Sequence, residues 1–264
     1  MGKMKKQLGR LLAIGGLDPS GYAGLLADAR VWERLGCPYH VAVTALTVQT
    51  ETSFDRWTEV PIPLFRAQLA AAGKNIVGVK IGMLATPRHA REVLRWVKQA
   101  RPKKIVWDPV HRSSTGALLL KGKSNHTAFL ELLRSADALT PNIPEAEWLL
   151  GRRIRNLDQM HTAALDLYAL GTKPERFVVL KGGHLSAVKK KAIDLIVWEN
   201  RVTAFEAARK KGTRRGSGCT FAAALLATWS LGKDPVQAAG FAKRYVLDQL
   251  WLRRPNSLGF NRKM

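Results

Sequence analysis

Lys104-Ile105-Val106-Trp107-Asp108-Pro109-Val110 is the stretch that decides the fold. Successive side chains of a strand point to opposite faces of its sheet, so Ile105, Val106 and Trp107 ask for apolar cover on both sides. Phe177-Val178-Val179-Leu180 repeats the pattern. Strands buried on both faces belong to parallel sheets with helices packed above and below.

Outward from these two runs, strand patterns fall at Leu11–Gly15, Val41–Val48, Val77–Met83, Ile105–Val110, Ala138–Pro141, Phe177–Lys181 and Ile193–Val197. Helical patterns fall between them, at Ala23–Leu35, Pro63–Ala72, Arg88–Ala100, Asn125–Leu133, Leu157–Leu170, Cys219–Leu231 and Pro235–Leu250. The alternation predicts an α/β fold, three-layer α/β/α, with a doubly wound and mainly parallel sheet. No linker, repeat or low-complexity segment interrupts it. One domain over residues 1–264 is expected, with basic tails at about 1–10 and about 252–264.

Composition agrees. The chain has 264 residues, 46% hydrophobic and 24% charged, which excludes intrinsic disorder. That length buries a core without staples. Two cysteines, Cys37 and Cys219, exclude a disulfide scaffold and a cysteine zinc cage. The longest nearly apolar run, Cys219–Leu231, is too short to span a bilayer. Basic Met1–Arg10 leads only into Leu11–Ile14 before two glycines, which is no secretory signal. A cytoplasmic protein with no membrane partner is expected. The formal net charge is +23, from 43 Lys and Arg against 20 Asp and Glu. Such a balance attracts nucleotides, nucleic acids and acidic surfaces alike. The charge is dispersed, with clusters at Lys189–Lys191, Arg209–Arg215 and the C-terminal tail. No aromatic–basic interleaving or nucleic-acid motif accompanies it, so nucleic acid is not the expected partner.

In open α/β sheets ligands bind beyond the carboxyl ends of the strands. Residues with chemical potential gather there. After the first strand comes Gly15-Gly16-Leu17-Asp18-Pro19-Ser20-Gly21, a tight loop that lets a ligand approach the backbone. Asp28 follows on the next helix. Asp108 ends the fourth strand, where a carboxylate holds a metal or acts as a base. Asn142 and Glu145 follow the fifth. Their spacing is nearly that of a helix capping box, the reading the two residues favour by themselves, and it also suits an oxygen-lined magnesium surface. Lys181-Gly182-Gly183-His184 follows the sixth. Gly216-Ser217-Gly218-Cys219-Thr220 opens a helix, and glycine amides at a helix N-terminus make an anion site. Arg214 and Arg215 add charge at its lip. The helix dipole and these arginines are expected to lower the thiol pKa of Cys219.

In this order the motifs resemble the ribokinase-like superfamily, and within it the hydroxymethylpyrimidine/phosphomethylpyrimidine kinases. The matching stretches are D-P-S-G-x-A-G at Asp18–Gly24, A-D at Ala27-Asp28 and V-T-A-L-T-V-Q at Val43–Gln49. They continue with V-K-I-G-M-L at Val79–Leu84, D-P-V at Asp108–Val110, T-P-N-x-P-E-A-E at Thr140–Glu147, K-G-G-H at Lys181–His184 and G-S-G-C-T at Gly216–Thr220. The likeness runs from about Leu11 to about Gln249. It implies phosphoryl transfer from ATP with Mg2+, a small-molecule acceptor and a homodimer. It also implies roles. Gly216 and Gly218 would frame the anion hole, and Cys219 would stand where the wider superfamily has an aspartate base. Asp28 and Gln49 would hold the aminopyrimidine, in a pocket lined by Gly16, Met83 and Val110. Asn142, Ser217, Thr220 and Lys181 would hold the nucleotide phosphates, with Asp108 and Glu145 at the metal. The chain departs from the family pattern at Leu17, Tyr22, Leu26 and Thr50. It also carries Arg214-Arg215 in place of Thr-His, and lacks the lysine that usually follows D-P-V. Pyridoxal or pyridoxine is an alternative acceptor, to which the amide of Gln49 is less suited than to an aminopyrimidine. A degenerate kinase fold with a nucleic-acid-binding or regulatory role is the alternative from another class.

Overall fold

The structure, a computed structural model, describes residues 9–113, 115–121, 126–183, 185, 191–209 and 215–249. The chain runs β1 (Arg10–Leu17), α1 (Gly24–Arg34), β2 (Tyr39–Gln49), β3 (Phe54–Glu59), α2 (Ile62–Ala71), β4 (Ile76–Ile81), α3 (Pro87–Ala100) and β5 (Lys104–Trp107). It continues through α4 (Thr127–Ser135), β6 (Ala138–Leu139), α5 (Ile143–Leu150), α6 (Leu157–Ala169), β7 (Phe177–Lys181), β8 (Lys191–Trp198), β9 (Arg201–Ala208), α7 (Ser217–Ser230) and α8 (Pro235–Leu247). The nine strands form one sheet in the order β3-β2-β1-β4-β5-β6-β7-β8-β9. From β2 to β7 every pairing is parallel, while β3, β8 and β9 join antiparallel at the edges.

The expected two-faced burial is realised residue by residue. Leu11 and Ala13 of β1 pack with α1, α7 and α8, while Leu12 and Ile14 pack with the layer of α2 to α6. Phe177 and Val179 of β7 divide from Val178 and Leu180 in the same way. Helix α7 is buried from Thr220 to Thr228, as a helix apolar all round must be. Trp32 of α1 donates its indole N–H to the Ala223 carbonyl at 2.9 Å and fixes those two helices together.

Three elements escape the sequence patterns. Strand β3 is Phe-Asp-Arg-Trp-Thr-Glu, largely exposed and held by its ladder with β2 rather than by burial. Strand β9 is also an edge, with only Val202 and Phe205 packed against the cores. Helix α5 is a short segment whose start shows only in its cap. Other bounds shift: β4 ends at Ile81, β5 at Trp107 and β6 at Leu139, while α7 begins at Ser217. The expected helix start at Asn125, the basic cluster Lys189-Lys190 and residues 1–8 and 250–264 of the terminal segments lie outside the described residues.

Arg176 is only 1% exposed and donates to the Leu133 and Leu167 carbonyls, in the last turns of α4 and α6. A cation suits those dipole ends. No described helix is long and apolar enough to cross a membrane.

Candidate active site

The chain leaves β1 for β2 on one side, then starts again from β4 on the other. Between β1 and β4 the strand order reverses, and the carboxyl ends diverge into a crevice. A cleft of about 960 Å³ opens there and extends to the β8–β9 hairpin and α8.

At one end the floor is backbone. A Cβ on Gly16 would lie 2.7 Å from Met83 Sδ, so the glycine lets the Met83 loop close in. Asp18 shapes the following turn: its Oδ1 accepts from the Ser20 N–H at 2.9 Å and its Oδ2 from the Ala23 N–H at 2.9 Å. Thr44 Oγ1 donates to the Met83 carbonyl at 2.6 Å and Thr47 Oγ1 to the Leu17 carbonyl at 2.9 Å, lacing β2 to both loops. Gln49 closes β2, its Nε2 donating to Thr47 Oγ1 at 2.9 Å.

The glycine loop meets this floor. Gly216 caps α7 with φ of 75°, and a Cβ there would lie 1.9 Å from the Tyr22 carbonyl oxygen. No side chain caps α7, which leaves its first amides for an anion. Behind the loop, Lys181 Nζ donates to Asp108 Oδ1 at 2.9 Å, and Thr140 Oγ1 donates to the same oxygen at 3.1 Å. Asp108 Oδ2 is buried with no hydrogen-bond partner among the described residues, and a Cβ on Gly218 would lie 3.6 Å from it. Asn142 and Glu145 form the full capping box: Asn142 Oδ1 accepts from the Glu145 N–H at 2.9 Å and Glu145 Oε2 from the Asn142 N–H at 2.8 Å. The cap and the cleft-facing carboxylate are therefore the same residue.

Burial sets the protonation of these groups. It pushes the Glu145 carboxyl up to about 7, with Asp108 adding to the rise and Lys181 opposing it. For Lys181 burial disfavours the charge, but Asp108 and Glu145 outweigh it and the net shift is upward. The Cys219 thiol is pushed up to about 11 by burial, with Asp28 and Asp108 adding and Lys80 opposing. This corrects the expectation of a lowered thiol pKa. Burial, with the two nearby carboxylates, outweighs Lys80 and the backbone hydrogen bond at Gly24.

Of the expected site residues, Gly16, Gln49, Met83, Asp108, Val110, Asn142, Glu145, Lys181 and Gly216 through Cys219 all line the cleft. Asp28 and Thr220 stand behind it. Thr220 is buried, its N–H bonding the Gly216 carbonyl at 2.8 Å. Asp28 is fully buried and its Oδ2 accepts from Lys80 Nζ at 2.9 Å. Lys80 is the cleft-facing member of that pair, and the sequence reading gave it no role. A lysine inside the apolar run Val79–Ile81 was the available signal. Burial pushes Asp28 up to about 6 against the pull of Lys80. Lys80 is itself held above its ordinary value, since Asp28, Cys219 and Asp108 outweigh its desolvation.

Arg215, expected at the lip of the glycine loop, lines the same cleft but is turned to the end of β2. It donates to Gln49 Oε1 and to the Thr50 and Ser53 carbonyls, at the β2–β3 turn. Arg214, Ser114 and His184 lie outside the described residues. At the far end of the cleft, sequence reasoning missed Asp194 and Lys243, which pair at 2.7 Å. Asp194 Oδ1 also accepts from the Gly182 N–H at 2.9 Å, pinning the turn after Lys181.

Among the described residues no group of three or more His, Cys, Asp and Glu side chains stands ready for a metal. Magnesium does not need one, since it binds through one or two carboxylates, phosphate oxygens and water. The orphaned Asp108 Oδ2 and the buried Glu145 fit that demand.

Known proteins share this fold. The family model for phosphomethylpyrimidine kinase matches residues 18–261. A hydroxymethylpyrimidine/phosphomethylpyrimidine kinase of Aquifex aeolicus is 36% identical over 242 residues, covering 90% of this chain and 93% of that protein. The crystal structure of a Clostridium difficile phosphomethylpyrimidine kinase superposes with a TM-score of 0.75 at 30% identity, covering 90% of this chain and 98% of that one. The Staphylococcus aureus pyridoxal kinase, solved with AMP-PCP and pyridoxal, gives a TM-score of 0.80 at 29% identity over 91% of this chain and 87% of that one. With its fold and nearly its whole length matched, the chain belongs to the phosphomethylpyrimidine kinase family.

Proposed function

We propose that the protein transfers the γ-phosphoryl group of ATP to the hydroxymethyl oxygen of 4-amino-5-hydroxymethyl-2-methylpyrimidine, and then phosphorylates the resulting monophosphate, as a step of thiamine biosynthesis. One observation carries this reading. A single cleft joins the Gln49–Met83 end to the Asp194–Lys243 end, with the Gly216–Gly218 loop between them. That supports an acceptor and a nucleotide on either side of one anion site.

The acceptor oxygen forms a bond to the γ-phosphorus as the bond to the β–γ bridging oxygen breaks, and ADP leaves. In such a loose transition state the protein's task is positioning and charge stabilisation. The amides of Gly216, Ser217 and Gly218 hold the oxygens of the group in flight. Lys181 brings its charge to the same place, and Asn142 and Ser217 flank the phosphates. Asp108 and Glu145 would hold magnesium, which would supply positive charge to the nucleotide phosphates. Cys219 is a protonated thiol at neutral pH, so its part is to hold the acceptor oxygen. The acceptor proton leaves late, to a phosphoryl oxygen or water. Gln49 offers an amide edge to the aminopyrimidine, with Met83, Val110 and Gly16 around the ring and Asp28 acting through Lys80.

Pyridoxal is the second reading, favoured by the likeness to the Staphylococcus aureus pyridoxal kinase. We also read the chain as one cytoplasmic domain and a homodimer. Leu46 and Val48, 47% and 49% exposed on one face of β2, are the support for a dimer. The test is ADP release by purified protein with Mg-ATP and each acceptor in turn. Turnover that depends on the pyrimidine alcohol supports the main reading. Turnover with pyridoxal alone overturns it.

A further inference from the structure

We propose that Arg215 reads the charge of a phosphomonoester on the acceptor, so that the site favours the acceptor monophosphate over the free alcohol. The proposal rests on the kinase reading above and names a specificity residue within it.

Three observations lead there. First, the Arg215 guanidinium lines the acceptor end of the cleft, one residue before the glycine that caps α7. Second, its partners are neutral oxygens: Gln49 Oε1 and the Thr50 and Ser53 carbonyls. None of the ion pairs among the described residues includes Arg215. Glu51, in the same turn, accepts from Tyr22 Oη at 3.1 Å. The positive charge is thus fixed in place but not neutralised. Third, Arg215 occupies the oxygen of Gln49, the acceptor atom that an amino group on the substrate ring would use.

These facts make an exchange. A substrate N–H that takes Gln49 Oε1 displaces an Arg215 N–H. An alcohol offers that freed donor a neutral oxygen at most, whereas a phosphomonoester offers it an anionic one. Guanidinium–phosphate hydrogen bonds are among the strong, directional ones. In the second phosphorylation the acceptor phosphate is itself the nucleophile and must lie against the glycine loop. Arg215 is adjacent in sequence to that loop and faces the same cleft. Lys181, across the loop, already has Asp108 as its partner.

The test compares kcat/KM for the alcohol and for its monophosphate in the wild type and in Arg215→Ala, Arg215→Gln and Arg215→Lys, followed by ADP release. Glutamine keeps a donor for the turn carbonyls and loses the charge. Lysine keeps the charge. The ratio of monophosphate to alcohol kcat/KM is expected to fall about 10- to 100-fold in the alanine and glutamine variants, the worth of one or two charge-assisted hydrogen bonds. Lysine is expected to keep most of the preference. A residue that only tethers the β2–β3 turn lowers both acceptors together, so an unchanged ratio in the glutamine variant overturns the proposal. Wild-type turnover of the alcohol without turnover of the monophosphate overturns it while leaving the kinase reading intact. Wild-type turnover of neither overturns both.

Discussion

Replacing Lys80 with methionine isolates the cost of the charge buried beside the cleft. Methionine keeps the length of the side chain and removes its ammonium. The pair lies at 2.9 Å, with side chains 1% and 0% exposed, and Asp28 Oδ1 already lacks a hydrogen-bond partner among the described residues. Removing one member of a buried pair leaves the other uncompensated, at about 3–5 kcal/mol. That is a large part of the ~5–15 kcal/mol that holds a domain folded. The carboxyl of Asp28 sits at about 6 even with Lys80 pulling it down, so it climbs further in Lys80→Met. A carboxyl whose folded pKa exceeds its unfolded value binds its proton more tightly in the native state. Stability then falls as pH rises through that window. The deficit is therefore largest at pH 8 and shrinks at pH 5.5, where Asp28 is neutralised. Urea unfolding at both pH values, followed by tryptophan fluorescence, measures it. Adding Asp28→Asn to Lys80→Met should recover most of the loss at pH 8. A loss below about 1 kcal/mol at pH 8, or one equal at both pH values, refutes the reasoning.

Gly216→Ala forces a side chain into a left-handed conformation, at about 1–2 kcal/mol, and drives its Cβ to within 1.9 Å of a backbone carbonyl. We expect a melting point several degrees lower and at least a tenfold lower kcat, and an unperturbed melt and rate would contradict the close approach. Glu145→Gln keeps the capping box, since an amide oxygen serves there as well. Because the carboxyl of Glu145 is pushed up to about 7, wild-type stability without nucleotide should fall as pH rises from 5 to 8. The variant should show a shallower fall in a melting series, keeping only the part that Asp28 contributes, while losing at least tenfold in Mg-ATP turnover, and parallel pH profiles for the two proteins would tell against it. The thiol of Cys219, pushed up to about 11, should be alkylated by iodoacetamide about tenfold faster per pH unit between pH 7 and 9. A rate already level at pH 7 would show an activated thiolate instead.

What the sequence made legible was the part governed by burial and by backbone chemistry. The apolar runs at Ile105–Trp107 and Phe177–Leu180 are buried on both faces, as their pattern required. The glycine loop, Asp108, the Asn142–Glu145 pair and Lys181 converge on one cleft, because each follows a parallel strand. The illegible part was governed by pairing across long separations. Strands β3 and β9 are held by ladders, which leave no apolar run to read. The direction taken by Arg215 depends on a turn 165 residues earlier in the chain. The thiol of Cys219 looked activated from its helix position and the arginines beside it in the chain. Burial decides otherwise, with Asp28 and Asp108, both remote in sequence, adding to it against the pull of Lys80.

Helix α7 has a consequence for the order in which the molecule is made. Its side chains cover Leu11, Ala13 and Val106, yet it begins only at Ser217 of 264 residues. The bond from Trp32 to the Ala223 carbonyl spans 191 residues. A ribosome therefore completes most of the sheet before it emits the helix that seals one side. In that interval the nascent chain carries an open apolar face, the kind of surface that draws chaperones or self-association. Contacts of such separation also slow folding, because the loop must close before the contact repays it. Chains truncated ahead of Ser217 should be aggregation-prone even with β1 to β7 fully present.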